Sequence, residues 1–466
     1  MLSAGMLVPV IIDVASGNPD WQIFVMTMFM SFSIGGMFVL ANRGTGDNLN
    51  LRQAFLMTTL AWAVLPAFAA LPLAYSELGL SYTDAYFEAM SGLTTTGSTI
   101  ITGLDNAPPG ILIWRALLQW FGGIGIIVMA VAVLPMLQVG GMQVFKAESF
   151  DTVEKILPKA SQISGMISGI YISLTAIAMI LYLIAGMSVF DAMAHAMTVI
   201  ATGGFSTSDG SIGHFDSYLV DMITLLFMII GSIPFVLILQ LVRGRPLVFW
   251  RDEQVKGFLK LTALLCAGVT IWLIIWKDFD AFEAFRYGSF NIISILTGTG
   301  YATTNYAQWG SFSATLFFMV MFIGGCAGST SCGIKIFRFQ VLIKSMKSWI
   351  NHIVQPNGVF VPTYNRRPIA EDVKSSVMAF LTLFMGIFIL LAIAISSTGE
   401  DWITSFSSAG TALANVGPGL GEKVGPAGNF GGLTDAAKWF MSLGMLVGRL
   451  EIFSVLVLFS PAFWRG

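Results

Sequence analysis

The chain has 466 residues, of which 55% are hydrophobic and 11% charged, and its formal net charge is −2. A mean hydropathy of +0.78 excludes a water-exposed globular surface. The near-neutral charge excludes a global basic field for nucleic acid, and three cysteines in apolar or glycine-rich segments exclude a disulfide framework. Apolar stretches of about 20 residues recur instead, the length that crosses a hydrocarbon core. The chain reads as a multi-pass membrane protein.

In chain order the apolar spans fall near 1–14, 21–41, 53–75, 110–139, 162–186, 217–242, 257–276, 311–345, 375–397 and 434–463. No cleavable leader is evident, and the first stretch, Met1 to Ile12, is shorter than a full span. The connections alternate in charge. One set carries 18 of the 24 Lys and Arg, including Arg43, Arg52, Lys146, Arg243, Arg251, Lys344, Arg366 and Arg465. The other carries five: Arg115, Lys277, Arg286, Lys423 and Lys438. The positive-inside rule assigns the first set, and both termini, to the cytoplasm. Of the 26 acids, 17 fall on the external side, Asp84, Asp209, Asp221 and Glu400 among them. They form either a cation-concentrating mouth or simply what remains once basic residues are retained inside.

Four external segments repeat one pattern: "TDAYFEAMSGLTTTGST", "FDAMAHAMTVIATGGFST", "FEAFRYGSFNIISILTGTGYAT" and "WITSFSSAGTALANVGPGLG". Each begins polar or acidic, runs through a short helix-compatible stretch and ends in small residues around a glycine. The aligned glycines are Gly97, Gly203, Gly300 and Gly417. A helix of about a dozen residues cannot cross the membrane, so each segment must enter and leave by one face. Irregular backbone at that depth is tolerated only inside protein or beside a watery cavity. The expected fold is all-α: four parallel membrane–pore–membrane repeats with pseudo-fourfold symmetry, plus two N-terminal transmembrane helices. The boundaries are 1–45 for the helix pair, then 46–145, 146–250, 251–365 and 366–466. Parallel repeats argue against inverted-repeat carriers.

Rings of backbone carbonyls can replace the water shell of an alkali cation, and glycine lets the backbone aim them. Thr95-Thr96-Gly97, Ala201-Thr202-Gly203, Gly298-Thr299-Gly300 and Asn415-Val416-Gly417 are the candidate filter. Each follows a short helix whose C-terminal end favours a cation.

On these residues, together with "ANRG", "WRALLQWFGGIGI", "GMQVFKAES", "GGCAGSTSCGIKIFR" and "NVGPGLG", the chain resembles the TrkH-type membrane subunit of Trk potassium uptake systems, within the Trk/Ktr/HKT superfamily. The resemblance covers essentially the whole chain. It implies homodimerisation and potassium passage through a pore in each protomer of a bacterial inner-membrane protein. It also implies a cytoplasmic TrkA-type subunit that binds NAD or adenine nucleotides, docking on the basic loops 141–161, 243–260 and 335–374. Topology signalling alone would also account for the charge of those loops. Glycine at all four filter positions is what the superfamily associates with potassium rather than sodium. The stretch "FDTVEKILPKA" (150–160) departs from the family's pattern.

Below the candidate filter, "GGCAGSTSCG" interrupts the span 311–345. Its residues are Gly324, Gly325, Cys326, Ala327, Gly328, Ser329, Thr330, Ser331, Cys332 and Gly333. Such a run disfavours a continuous helix; it reads either as close helix packing through small residues or, as the resemblance implies, as a loop obstructing the pore. Arg449 stands within the last span, where a charge is expensive. It serves either an ion pair with another helix or an electrostatic barrier under the filter. His195 reads as a hydrogen-bonding residue of the second short helix. No nucleophile–base pair, metal cluster or phosphate loop in a strand–helix setting supports an enzyme, and no organic cofactor is expected, only K+ as the transported ion. A symporter is the competing reading, with Glu451 and Glu88 as the few intramembrane carboxylates available for ion coupling.

Overall fold

The structure, a computed structural model, describes residues 1–43, 50–132 and 160–465. The motif at 141–149, and the segment after it up to residue 159, lie outside the described residues. Helices α1 (Leu7–Ser16) and α2 (Trp21–Ala41) form the N-terminal pair. A triplet of a long helix, a shorter one and a second apolar span, broken in three of the repeats, then recurs four times. The first triplet is α3 (Leu51–Tyr75), α4 (Tyr82–Leu93) and α5 (Pro109–Ala132). The second is α6 (Ala160–Ile184), α7 (Val189–Ile200) and α8 (Tyr218–Gly231), continued by α9 (Phe235–Val242). The third is α10 (Glu253–Lys277), α11 (Ala281–Leu296) and α12 (Ser311–Val320), continued after a loop by α13 (Ile336–Val354). The fourth is α14 (Glu371–Ser396), α15 (Trp402–Ala414) and α16 (Asp435–Arg449), continued by α17 (Phe453–Leu456).

The short helices start on one face, here the upper. Within each repeat the first long helix packs along its own short helix. Each second long helix packs against the short helix of the next repeat: α5 on α7, α8 on α11 and α16 on α4. The third pairing is made through the end of α12 and the residues just after it, where Phe318, Met321 and Phe322 reach Gly410 of α15. The repeats thus interlock in a closed circle.

Among the described residues six helices are long and apolar enough to span a membrane. Large apolar side chains on the outside of α2, including Met26, Phe29, Phe32 and Phe38, are exposed, as a lipid-facing surface requires. Two spans expected to be continuous are broken. Residues 218–242 bend by 101° between α8 and α9, and the last span bends by 105° after α16. At the first break Pro234 supplies no N–H and restricts its neighbour. At the second, Glu451 and Ile452 take left-handed φ values of 60° and 51°. Three of the four second helices are therefore interrupted, as α12 also ends early at Val320.

Candidate functional site

Each short helix is capped by a side chain. Ser81 accepts the N–H of Asp84, Ser188 that of Asp191, Asp280 that of Phe282, and Asp401 those of Ile403 and Thr404. These bonds satisfy orphan N–H groups of the first turn. At the other end each helix closes with the same turn. The N–H groups of Thr96, Gly203, Thr299 and Val416 donate to the carbonyls five residues back, Ser91, Thr198, Ser294 and Thr411. The residue before each donor is left-handed: Thr95 (54°), Thr202 (49°), Gly298 (76°) and Asn415 (52°).

This turn fixes the register of the four segments. The residues following the donors are Gly97, Gly204, Gly300 and Gly417, so the second repeat shifts by one from the sequence alignment, with Gly204 in the place assigned to Gly203. Gly97, Gly204 and Gly300 share φ near 80–86°, a conformation open mainly to glycine. Gly417 does not, because Pro418 holds the residue before it extended.

The four glycines touch in cyclic order. A methyl on Gly97 would collide with the carbonyl oxygen of Gly203, and one on Gly204 with that of Thr299. One on Gly300 would lie 3.0 Å from the Gly417 nitrogen, and one on Gly417 would lie 3.0 Å from the Gly97 carbonyl oxygen. First and last repeats also join directly. Ser98 Oγ donates to the Gly417 carbonyl at 2.9 Å, and Asn415 Nδ2 to Thr96 Oγ1 at 2.9 Å.

Above the ring lies a cavity of about 300 Å³, lined by Gly97, Gly204, Gly300, Gly417, Asp209 and Arg115, among others. The expected acidic funnel is thinner than the sequence count suggests, because many of its acids are engaged in the fold. Arg115, placed outside by the charge count, is buried and pairs with buried Glu88 at 2.8 Å. Asp84 pairs with Lys438, Asp221 with Arg286, and Glu400 with Lys423. Asp401 caps α15, and hydrogen bonds from the Thr404 side chain first, then from the Thr404 and Ile403 amides, hold its carboxyl below the ordinary carboxylate range. His195 Nδ1 lies 2.8 Å from the Asp191 carbonyl and Nε2 lies 2.9 Å from Ser206 Oγ, matching the hydrogen-bonding role read from the sequence.

Below the ring sits the loop expected there. A short parallel ladder, β1 (Ile323–Gly324) with β2 (Ile334–Lys335), closes its neck. Its amides use the carbonyls freed by the broken helix: Thr330 N–H donates to Gly231 and Cys326 N–H to Ser232. Ser331 Oγ donates to the Thr297 carbonyl at 2.6 Å, and Thr330 Oγ1 lies 2.9 Å from the Ile200 carbonyl. Cys332 Sγ is 3.5 Å from Thr95 Oγ1. The loop thus meets the C-terminal ends of three short helices. Residues 326–332 are buried but form turns and irregular backbone, not helix, so the alternative of a helix packed through small residues does not hold.

Arg449, at the end of α16, is 4% exposed. Its Nη1 lies 2.6 Å from Cys332 Sγ, and Nη2 donates to the Gly122 carbonyl at 3.0 Å. Glu451, as expected from its spacing, is not its partner; it pairs with buried Arg338. Lys335 Nζ donates to the Ser331 carbonyl. A small cavity of about 30 Å³ lies here, bounded by Arg449, Asn415, Cys332 and Lys335.

The structure brings Thr95, Thr96, Gly97, Thr202, Gly203, Thr299, Gly300, Asn415 and Gly417 into one ring with Gly204, and sets Gly298 against the loop at Cys332. Ala201 and Val416 are buried beside it. Sequence reading took Glu88 only as a possible coupling carboxylate and gave Gln119, Arg338 and Lys335 no role in the site; all four are buried. A buried polar residue in an apolar helix was the available signal.

The profile of the family described as "TrkH: Cation transport protein" matches residues 21–465. The chain is 42% identical over its whole length to the Trk system potassium uptake protein TrkI of Halomonas elongata, covering 94% of that protein. It is 38% identical to TrkH of Escherichia coli K12, covering all of this chain and 97% of that one. The crystal structure of the potassium transporter TrkH from Vibrio parahaemolyticus superposes with a TM-score of 0.92 at 36% identity, over 99% of this chain and 96% of that one.

Proposed function

The chain belongs to the TrkH family of cation transport proteins, and on that premise we propose that it takes up potassium through a channel-like pore. The observation that carries this reading is the closed circle of four glycine turns above a buried loop. Backbone carbonyls of the four turns bind the dehydrated ion, and the C-terminal ends of four short helices favour its charge. The loop 324–333 closes the path beneath, with Arg449 beside it as a positive barrier. The names of the relatives supply potassium as the ion.

Both carboxylates available for ion coupling are held by arginines, Glu88 by Arg115 and Glu451 by Arg338. That favours a conduction path over a symporter. The upper face is then extracellular and both termini cytoplasmic, in a bacterial inner membrane. Exposed Arg245, Arg366 and Arg367, with half-buried Arg243, on the lower side suit a cytoplasmic nucleotide-binding partner, with the protein itself a homodimer.

The test is single-channel recording of the purified protein in planar bilayers under bi-ionic K+ and Na+. Unitary currents with a reversal potential favouring K+ are expected. Flux without unitary events, dependent on a second ion, would establish the symporter instead.

A further inference from the structure

In the ring position just before the glycine, three repeats carry a side chain: Thr96, Thr299 and Val416. The second repeat carries Gly203. Backbone conformation does not require glycine there, since Gly203 lies outside the left-handed region that holds Gly97, Gly204 and Gly300. Another side chain occupies the space. A Cβ on Gly203 would lie 2.8 Å from Nε2 of Gln119 and closer still to its other carboxamide atoms.

The same carboxamide bonds the peptide groups on both sides of Gly204. Nε2 donates to the Gly203 carbonyl at 2.6 Å, and Oε1 accepts the Phe205 N–H at 3.0 Å. Gln119 is fully buried. It stands one turn along α5 from Arg115, whose Nη1 donates to the Ser206 carbonyl at 3.0 Å. A helix of the first repeat therefore grips the second repeat's segment at three points.

The first and third repeats brace this position internally. Thr94 and Thr96 pair their hydroxyls at 2.8 Å, as do Thr297 and Thr299 at 2.8 Å. The second repeat has Ala201 and Gly203 instead, without either hydroxyl. A carbonyl oxygen has two lone pairs, so Gly203 can accept the Gln119 N–H and still present the other to a cation.

We propose that Gln119 is a positioning residue for the ring: it supplies from the neighbouring repeat the brace that the second repeat lacks, and so sets how this quadrant discriminates K+ from Na+. The proposal rests on the pore reading above. The experiment is bi-ionic reversal-potential measurement on full-length protein in planar bilayers. Wild type is compared with Gln119→Leu and with Gln119→Met, which keeps the side-chain length and carries the test if the leucine variant does not assemble. The expected result is a K+ to Na+ permeability ratio lowered by about tenfold, the scale of one or two lost hydrogen bonds, with unitary currents retained. A wild-type ratio in a folded, conducting variant overturns the proposal and leaves the pore reading standing. Wild-type protein without K+-selective currents overturns the pore reading, and this proposal with it.

Discussion

Gly204 and Gly203 are adjacent glycines kept for different reasons. Gly204 has φ of 80° and faces the Thr299 carbonyl, so any side chain there strains the backbone and enters the ring. Gly204→Ser is expected to lower the K+ to Na+ permeability ratio by at least about tenfold, read from reversal potentials. Arg449→Ala removes a buried guanidinium that contacts both the loop and Gly122. Single-channel conductance is expected to rise at least about twofold, as a positive barrier is lifted, while the protein still extracts as a folded species. Asp401 gives a pH prediction. Its folded carboxyl titrates below its ordinary value, so its stabilising effect is present at neutral pH and is lost as the pH falls through the lowered value. As the pH falls from the ordinary carboxylate value of about 4 through the lowered one, the thermal midpoint should fall less steeply for Asp401→Ala than for wild type. The pair of glycines in "ATGGFS" also shows why the sequence could not choose its register. Either glycine fits a small-residue turn, and only the bond from Gly203 N–H to Thr198 decides. Gln119 was only half legible for a related reason: its polarity stands out in an apolar helix, but nothing there announces that it reaches into another repeat.

The four short helices were legible because each has its own cap and its own glycine turn within about twenty residues, so local chemistry alone marks them. The breaks at Pro234 and Ile452 were less so. The spans around them are apolar throughout, and what makes a break tolerable is remote: the carbonyls of Gly231 and Ser232 are satisfied by loop amides about a hundred residues later. The loop itself was readable from composition, as ten small residues do not propagate a helix. Deleting residues 326–332 should give constitutive cation flux in proteoliposomes, several-fold above wild type without any cytoplasmic partner. Flux indistinguishable from wild type would mean that the loop does not close the path.

At the scale of the molecule the repeats are joined by polar contacts that no single repeat contains. Lys438 of the fourth repeat pairs with Asp84 of the first at 2.6 Å, and Arg286 of the third with Asp221 of the second at 2.6 Å. Lys438 is nearly buried, so Asp84→Asn leaves a charge without its counter-ion. A loss of about 3 kcal/mol is expected, seen as a lower thermal midpoint. Asp84→Asn combined with Lys438→Met should recover most of it.

The circle of interlocked repeats has a consequence for synthesis. Gly97 is made early and Gly417 more than three hundred residues later, yet each is a wall of the other's position. The same holds for Gly122 and Arg449. A nascent chain that has threaded three repeats into the bilayer has no fourth wall and no latch on its plug. On the pore reading proposed above, the path and its barrier are completed together, when the final repeat arrives.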